Sequence, residues 1–298
     1  DIIGRFAARK AKVPVIITTE HGIHTWRVNG KLVESLVKRL YIYTTRFTDR
    51  IIAVSDYVKQ CLQSAGVPAE KIVRIYNGVD LERFVPSTPE QKSEFVKYLS
   101  DRKVNHVIGG VGHLITLKGH SYFIQAIPRI LEKHPNSLFI IVGEGPLHNQ
   151  LVNEVKRLGL TDKVRFLGRL STITPQVIST LDVLVQPSLT ESFGLVVAEA
   201  LACGVPVVAS NTTAIPELVK GHGWLVKMKD LVFSPRGWRC RRVDREDLVE
   251  KIEDAYFSDS KRKEFSKRAR TFALKYDWDL LFKEKWLPVL EKLSSIFK

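Results

Sequence analysis

From about Asn105 to Ser210, short apolar segments alternate with longer segments whose apolar residues recur at helical spacing. The short segments are continuously apolar and lie at 106–112, 138–145, 164–168, 183–188 and 205–210. Helices are predicted between them, over 120–133, 146–158 and 194–203. Continuous apolar strands separated by helices are typical of a parallel sheet covered on both faces. This pattern therefore predicts a doubly wound α/β sheet.

The first 84 residues repeat this pattern in shorter form. Strands are predicted over 13–19, over 50–55 and from Lys71 to an Asn-Gly turn, with helices over 31–47 and from an Asp56 cap to about Ala65. A polar, Pro-containing stretch predicts a linker near Phe84–Pro89. Three strands are fewer than a doubly wound sheet usually has, and the sequence opens without Met, so we expect the natural chain to begin upstream.

The pattern divides the chain into a partial first Rossmann-like domain (1–85), a second Rossmann-like domain (86–276) and a terminal helix (277–298). Over 278–297, apolar residues recur at helical spacing, among them Trp278, Phe282, Leu290 and Phe297. An amphipathic helix that packs back on the first domain is favoured over a membrane-seeking one.

The composition restricts the chemical classes of partner that the protein is expected to bind. A net charge of +14 favours anionic ones, such as phosphorylated small molecules or an anionic membrane surface. Nucleic acid is disfavoured because no nucleic-acid-binding motif is visible. No apolar run approaches the roughly 20 residues of a membrane span. The three cysteines lack metal-ligand or disulfide spacing, and Cys203 is predicted to be a buried structural thiol, which favours a cytoplasmic protein.

Two glutamates mark the segment 191–210. Glu199 lies in a predicted helix whose other residues, from Leu195 to Cys203, are apolar, and a carboxylate there is costly unless it has a partner. Either a nearby Lys or Arg pairs with it, or a ligand does. Glu191 lies in the loop before the helix N-terminus, which is itself an anion site. Carboxylates beside an anion site fit a ligand that also carries hydroxyls, such as a nucleotide sugar.

A glycine-rich turn over 109–120 ends the first strand of the second domain and carries Lys118 near its end. Glycines let the backbone approach a ligand, and the lysine offers a point charge to phosphate. The glycine turns at 143–146 and 166–170 end further strands at the same predicted sheet edge, although each alone is more typical of an ordinary turn.

Together these motifs resemble those of the retaining, nucleotide-sugar-dependent glycosyltransferases of family four, which have the GT-B fold of two facing Rossmann-like domains. The matching residues are "NGVDLERF" (77–84), "GHLITLKG" (112–119), "VGEGP" (142–146), "VRFLG" (164–168) and "PSLTESFGLVVAEALACGVPVVAS" (187–210). The last contains the Glu-x7-Glu element of the family, and the resemblance extends from about Val13 to the terminal helix.

The resemblance implies two catalytic residues. Glu191 is expected to hold hydroxyls of the transferred sugar, and His21 is expected to point from the first domain at that sugar. The remaining implied residues bind the donor. Glu199 is expected to accept from ribose hydroxyls, Lys118 and His113 to face the diphosphate, and the backbone of Leu170 to meet the base. Backbone N–H groups of Phe193, Gly194 and Leu195 are expected to contact the sugar and the diphosphate.

The resemblance implies transfer of a sugar from a UDP-, GDP- or ADP-sugar with retention and without a metal or other cofactor. With the basic charge, it favours a lipid-phosphate or cell-surface glycan acceptor and a cytoplasmic protein peripheral to the inner membrane face. Alternatives are a glycogen- or starch-synthase-like transferase and a nucleotide-binding module without turnover.

Two departures qualify the resemblance. The family usually has Arg at the position of His113, which predicts weaker donor binding above neutral pH. The glycine-rich loop of the first domain is absent from these residues, so we expect them to transfer poorly on their own.

The segment 228–243 resembles an insertion, for which a solvated loop is favoured over an acceptor or membrane contact.

Overall fold

The structure, a computed structural model, describes residues 2–22, 31–170, 174–233, 239–257 and 259–294. The strands in these residues are β1 (Ile17–Glu20), β2 (Arg50–Ala53), β3 (Ile72–Arg74), β4 (His106–Val111), β5 (Ser137–Val142), β6 (Val164–Phe166), β7 (Val183–Gln186), β8 (Val207–Ser210), β9 (Trp224–Val226), β10 (Met228–Phe233) and β11 (Arg239–Val243). The helices are α1 (Ile2–Lys10), α2 (Lys31–Thr44), α3 (Asp56–Ala65), α4 (Pro89–Leu99), α5 (His120–Lys133), α6 (His148–Arg157), α7 (Thr174–Thr180), α8 (Leu195–Ala202), α9 (Ile215–Val219), α10 (Arg245–Phe257), α11 (Asp259–Ala273), α12 (Trp278–Leu281) and α13 (Leu287–Ser294).

Two parallel sheets organise the chain. The first sheet has the order β1-β2-β3, and the second has the order β6-β5-β4-β7-β8-β9. The chain order reverses beside β4, as in a doubly wound sheet, and ligands of such sheets bind at the carboxyl ends of the strands. The α/β class and the doubly wound parallel sheet that the sequence predicts are confirmed.

Both faces of the second sheet are buried, which explains its continuously apolar strands. Along β5, Leu138 and Ile140 pack in one core cluster, whereas Phe139 and Ile141 pack in another on the opposite face. The first of these clusters continues into the first sheet, where it includes Ile51. The same cluster contains Cys203, and the predicted buried thiol is therefore confirmed.

Several element boundaries differ from the sequence prediction. The strand predicted over 13–19 begins at Ile17, because the N–H of Ile16 donates to the Asp49 carboxylate (2.8 Å) instead of to a neighbouring strand. The cap of α3 is Ser55 and not Asp56, since Ser55 Oγ accepts from the Val58 N–H (3.1 Å). The helix α4 begins inside the predicted linker, where Thr88 and Gln91 form a capping box.

The segment 228–243 was expected to be a loop, but β10 and β11 form an antiparallel hairpin whose tip, 234–238, lies outside the described residues. The terminal segment is helical, but a π-helical turn, Phe282–Trp286, separates α12 from α13. The start of the terminal segment is bound to Val79. The Val79 N–H donates to the Tyr276 carbonyl (2.7 Å), and the Val79 carbonyl accepts from the Trp278 N–H (3.3 Å). Trp278 and Phe282 are exposed, and Phe297 lies outside the described residues.

Main chains approach one another closely at the carboxyl edge of the second sheet. The N–H of Leu114, after β4, donates to the carbonyl of Glu144, after β5 (2.8 Å). The N–H of Gly143 donates to the carbonyl of Gly168, after β6 (2.8 Å). Gly143 has φ +138°, and a Cβ atom there would lie 2.0 Å from the carbonyl oxygen of Gly112. Glycine therefore allows three loops to join through their backbones.

We expect Gly143→Ala to destabilise the protein by about 3 kcal/mol or more, because the methyl group would force these loops apart. The matched control is Gly159→Ala. Gly159 is also left-handed (φ +69°), but a Cβ atom there meets nothing within 4 Å, so only the conformational cost of about 1 kcal/mol applies. Urea denaturation followed by circular dichroism measures both variants. Equal losses would contradict the close approach.

Candidate active site

Glu191 and Lys118 are in direct contact. Lys118 Nζ lies 2.6 Å from Glu191 Oε1, and the side chains are 27% and 11% exposed. The same oxygen accepts from Ser188 Oγ (2.9 Å), and the Glu191 N–H donates to Thr213 Oγ1 (2.8 Å). Both the carboxylate and the backbone of Glu191 are therefore fixed in place.

The loops that carry these two residues pack against each other without side chains between them. Lys118 ends a 3₁₀ turn, and the next residue, Gly119, is left-handed (φ +70°). A Cβ atom on Gly119 would lie 2.0 Å from the carbonyl oxygen of Pro187, in the loop that leads to Glu191. Next to this contact, the N–H of Leu189 donates to the Leu117 carbonyl (2.8 Å). The glycine thus brings the lysine to the carboxylate.

The helix α8 begins beside this ion pair, as predicted from the sequence. Gly194, left-handed at φ +98°, is its N-cap and provides no side-chain hydrogen bond. The Val197 N–H donates to the Gly194 carbonyl (3.0 Å), whereas the N–H groups of Leu195 and Val196 open the helix and can bind an anion. Phe193 is buried, with its ring centroid 5.8 Å from that of Tyr76, which holds the start of the helix against the first sheet.

A cleft of about 200 Å³ lies between the two sheets at this point. It is lined by His21 and Asn77 from the first-sheet side and by Lys118, Gln186, Glu191 and residues 192–197 from the second. The structure therefore brings together His21, Lys118, Glu191, Phe193, Gly194 and Leu195 of the predicted site.

A buried polar network holds His21 at the cleft. Its preceding residue, Glu20, forms an ion pair with Arg5 (3.1 Å), and both side chains are fully buried. Glu20 Oε1 also accepts from the Tyr41 hydroxyl (2.5 Å). Because removal of either partner would leave an uncompensated buried charge, this network fixes the end of β1.

Glu199 lies one helical turn beyond Leu195 and has a different environment from that of Glu191. Burial raises the pKa of Glu199 to about 7, and the positive charge of Arg83 opposes this shift only in part. Among the described residues Glu199 forms no ion pair, but the charge of Arg83 acts on its carboxyl group, so a Lys or Arg partner and a ligand both stay predictions. The group is close to half neutral at pH 7.

Three predicted donor-binding residues, Glu199, His113 and Leu170, do not line this cleft. The side chain of His113 is exposed, and its carbonyl accepts from the Ile115 N–H (2.8 Å). Leu170 is half-buried, and its carbonyl accepts from Thr174 Oγ1 (2.7 Å). Their roles stay predictions. A wider groove of about 850 Å³, between α5 and the β10–β11 hairpin, contains none of the predicted site residues.

The sequence interpretation missed two residues that hold Glu191. Ser188 is fully buried, and its polarity at the end of an apolar run was an available signal. Thr213 has φ +48°, a left-handed conformation that is strained for a β-branched residue, and nothing in the sequence signals it.

The cleft combines a cation and a helix N-terminus with the Glu191 carboxylate, so it can bind a ligand that carries both phosphate and hydroxyl groups. A phosphate at Lys118 would compete with Glu191 and release the carboxylate to accept from hydroxyls. In the part of the chain that the structure describes, no group of three or more His, Cys, Asp or Glu side chains could hold a metal ion.

Replacing Glu199 with glutamine should make the free energy of unfolding less dependent on pH. The pKa of Glu199 is raised from 4.5 to about 7 on folding, so its contribution to stability is fully present below pH 4.5 and is lost as the pH rises through 7. We expect the parent to lose about 2 kcal/mol relative to Glu199→Gln across this window.

Thermal unfolding of both proteins between about pH 5 and about pH 8 measures this difference. Glu250→Gln, which changes an exposed glutamate, is the control and should follow the parent. Parallel midpoints for the parent and Glu199→Gln would show that Glu199 is not desolvated.

Comparison with known proteins identifies the family. The model of the glycosyl transferases group 1 matches residues 91–272, and that of glycosyltransferase family 4 matches residues 1–83. An Escherichia coli relative, UDP-Gal:alpha-D-GlcNAc-diphosphoundecaprenol alpha-1,3-galactosyltransferase, is 35% identical over 77% of this chain and 60% of its own length. A lipopolysaccharide core biosynthesis mannosyltransferase of Rhizobium meliloti is 31% identical over 79% of this chain and 67% of its own length. The chain thus spans about three-fifths of the Escherichia coli relative.

The fold is shared with solved structures. Anabaena HepE, crystallised in complex with UDP and glucose, is similar with a TM-score of 0.82 and 25% identity, over 99% of this chain and 75% of that protein. This likeness confirms the predicted GT-B arrangement of two facing Rossmann-like domains. The sequence motifs, the cleft and the family matches agree, and the chain belongs to the group 1 glycosyl transferases.

Proposed function

We propose that the protein transfers a sugar from a nucleoside-diphosphate sugar to an acceptor hydroxyl, with retention of the anomeric configuration. The observation that carries the proposal is the Lys118–Glu191 ion pair at the uncapped N-terminus of α8, inside a cleft that also exposes His21. Two similar proteins support the donor class, since one is named for UDP-Gal and the other was crystallised with UDP and glucose.

In this proposal the chain holds the donor mainly by charge and by backbone groups. Lys118 and the first N–H groups of α8 neutralise the diphosphate, and Glu191, released from Lys118, accepts from hydroxyls of the sugar. Glu199 accepts from the ribose hydroxyls, the Leu170 backbone meets the base, and His113 faces the diphosphate.

The reaction needs no protein nucleophile and no metal. The bond from the anomeric carbon to the phosphate oxygen breaks, and a bond to the acceptor oxygen forms on the same face. The acceptor proton passes to the departing phosphate. Lys118 and α8 stabilise the negative charge that develops on this leaving group, and His21 and Glu191 orient the sugar.

The acceptor that we propose is a glycan linked to a lipid phosphate or to the cell surface. Of the two curated relatives, one is named for a diphosphoundecaprenol-linked sugar and one for lipopolysaccharide core biosynthesis. An acceptor of this kind lies at a membrane face, where a net charge of +14 favours anionic lipid.

An exposed apolar stripe on α2 supports this location. Its side chains recur at helical spacing and are Val33 (50% exposed), Leu36 (66%), Leu40 (39%) and Tyr43 (47%). The stripe continues onto α1, where the ring of Phe6 lies 6.5 Å from that of Tyr43, and the exposed Arg39 flanks it. No described helix is long and apolar enough to span a membrane. We propose that this face lies on the cytoplasmic surface of the inner membrane.

The donor site is tested by a thermal-shift panel of UDP, GDP and ADP. One nucleotide should raise the unfolding midpoint of the parent by mass action. Lys118→Ala should weaken its binding by about tenfold or more, because a charge pair to the diphosphate is lost. Lys133→Ala, at an exposed ion pair with Glu253, is the matched control and should bind as the parent does. The absence of any shift would contradict the donor site.

Turnover is tested with the sugar nucleotides of the base that binds. Release of the nucleoside diphosphate and an NMR measurement of the anomeric configuration of the product should show transfer with retention. Binding without release would instead favour a nucleotide-binding module.

The membrane face is tested by sedimentation at low salt with vesicles of phosphatidylcholine and phosphatidylglycerol. The parent should sediment with these vesicles, and Leu36→Asp should reduce the bound fraction by about fivefold or more, because it puts a charge into the apolar stripe. Tyr98→Asp, at a position that is 85% exposed on α4, is the control and should bind like the parent. Equal binding of all three proteins would contradict the proposed face.

A further inference from the structure

Side chains from each half of the molecule bridge the two sheets beside the cleft. The carboxylate of Glu217, on α9, accepts hydrogen bonds from the N–H groups of Asp56 (2.9 Å) and Tyr57 (2.8 Å), at the start of α3. In the opposite direction, Ser55 Oγ donates to the carbonyl of Ser192 (2.6 Å). These three hydrogen bonds, called the bridge below, join residues 137 to 161 positions apart in the chain.

The bridge completes the N-terminus of α3. The first N–H groups of a helix need acceptors from outside the helix, and a carboxylate there is also favoured by the helix dipole. Ser55 Oγ accepts from the N–H of Val58. The Glu217 carboxylate accepts from the N–H groups of Asp56 and Tyr57, the first two residues of the helix. The start of α3 is therefore satisfied only when the two sheets are in their present arrangement.

The second-sheet end of the bridge is continuous with the loop that carries Glu191. Between Glu217 and that loop, Thr213 accepts from the Glu191 N–H (2.8 Å), and the Ala214 N–H donates to the Glu191 carbonyl (3.4 Å). Ile215 Cδ1 would lie 2.8 Å from a Cβ atom on Gly194. The left-handed φ of +48° at Thr213 is strained for a β-branched residue and persists only if its surroundings hold it.

The first-sheet end of the bridge is close in the chain to His21. Ser55 follows β2 by two residues, and the last residue of that strand, Ala53, pairs with Glu20, which precedes His21. A displacement of α3 relative to α9 would therefore carry the end of β1 with it. The bridge sets the position of His21 relative to Glu191 through one pair of strands.

We propose that Glu217 and Ser55 are positioning residues of the donor site. Their hydrogen bonds to the opposite half of the molecule keep residues 191–195 in their present conformation. Neither residue needs to touch the donor. The loop keeps its conformation when the bridge is intact and loses it when the bridge is broken, so that donor binding depends on the arrangement of the two sheets. The inference deepens the proposed function, but its structural part stands independently of it.

Hydrogen exchange tests the structural part on the protein without ligand. Glu217→Ala should speed exchange at Asp56 and Tyr57 and also, by about fivefold or more, at residues 192–196. Glu217→Gln keeps one acceptor oxygen and should restore most of the protection in both places. Ser55→Ala should speed exchange at residues 192–196 as well. If Glu217→Ala does not fold, the other two variants decide the question.

The control is Asp244→Ala, which removes a helix-capping carboxylate in the same half of the chain. Asp244 accepts from the N–H groups of Glu246 (3.1 Å) and Asp247 (3.4 Å) on α10, so only those amides should exchange faster. Faster exchange confined to α3 in Glu217→Ala would mean that Glu217 is a helix cap and nothing more. That result overturns the proposal.

A second measurement, the affinity for UDP by calorimetry, separates this proposal from the proposed function. We expect Glu217→Ala to weaken UDP binding by about fivefold and Asp244→Ala to leave it unchanged. If the parent binds no UDP, GDP or ADP, the proposed function fails, while the exchange data still decide whether the bridge holds the loop. Unchanged UDP affinity in Glu217→Ala, with binding by the parent, overturns the positioning role.

Discussion

The close approach of main chains at the carboxyl edge of the second sheet is the constraint on which the site depends. Where Gly119 meets Pro187 and Gly143 meets Gly112, a single Cβ atom would separate the loops. Only because these backbones touch can a lysine from one loop reach a carboxylate from another. The site is therefore built by glycines that do not line the cleft themselves, and its charged residues occupy positions that the backbone has already set.

Two carboxylates on the same stretch of chain have different properties because their surroundings differ. Glu191 lies beside a lysine and a serine hydroxyl, and both donate to its Oε1 atom. Glu199 lies on an apolar helix, and burial, opposed in part by the charge of Arg83, raises its pKa to about 7. The first is suited to accept hydrogen bonds, whereas the second can accept or donate near neutral pH.

The local patterns were sufficient for five of the six strands of the second sheet, and the edge strand β9 was not predicted. The helix predicted over 120–133 is α5, and Glu191, Lys118 and the start of α8 lie together because strand ends in a parallel sheet share one edge. Contacts between distant segments could not be predicted in this way. Ser55 and Glu217 are ordinary polar residues until the two sheets pack, and the strain at Thr213 depends on the loop that it holds.

The charge state of Glu199 and the interrupted terminal helix likewise depend on tertiary packing. Spacing placed Glu199 on an apolar helix, but it could not say whether an arginine came within ion-pair distance. The apolar repeat over 278–297 indicated a helix, but it did not show which residues the rest of the chain would cover.

The Lys118–Glu191 ion pair bears on how an occupied cleft is emptied. A lysine that held a phosphate and had no other partner would have to return to water when the phosphate left. Here the nearest acceptor is a carboxylate 2.6 Å away that is kept in place by Ser188 and Thr213. Re-forming the pair would compensate for a lost phosphate contact, so that under the proposed function the spent nucleotide would compete with the protein itself for the lysine. A resting site that neutralises itself in this way would favour product release and limit product inhibition.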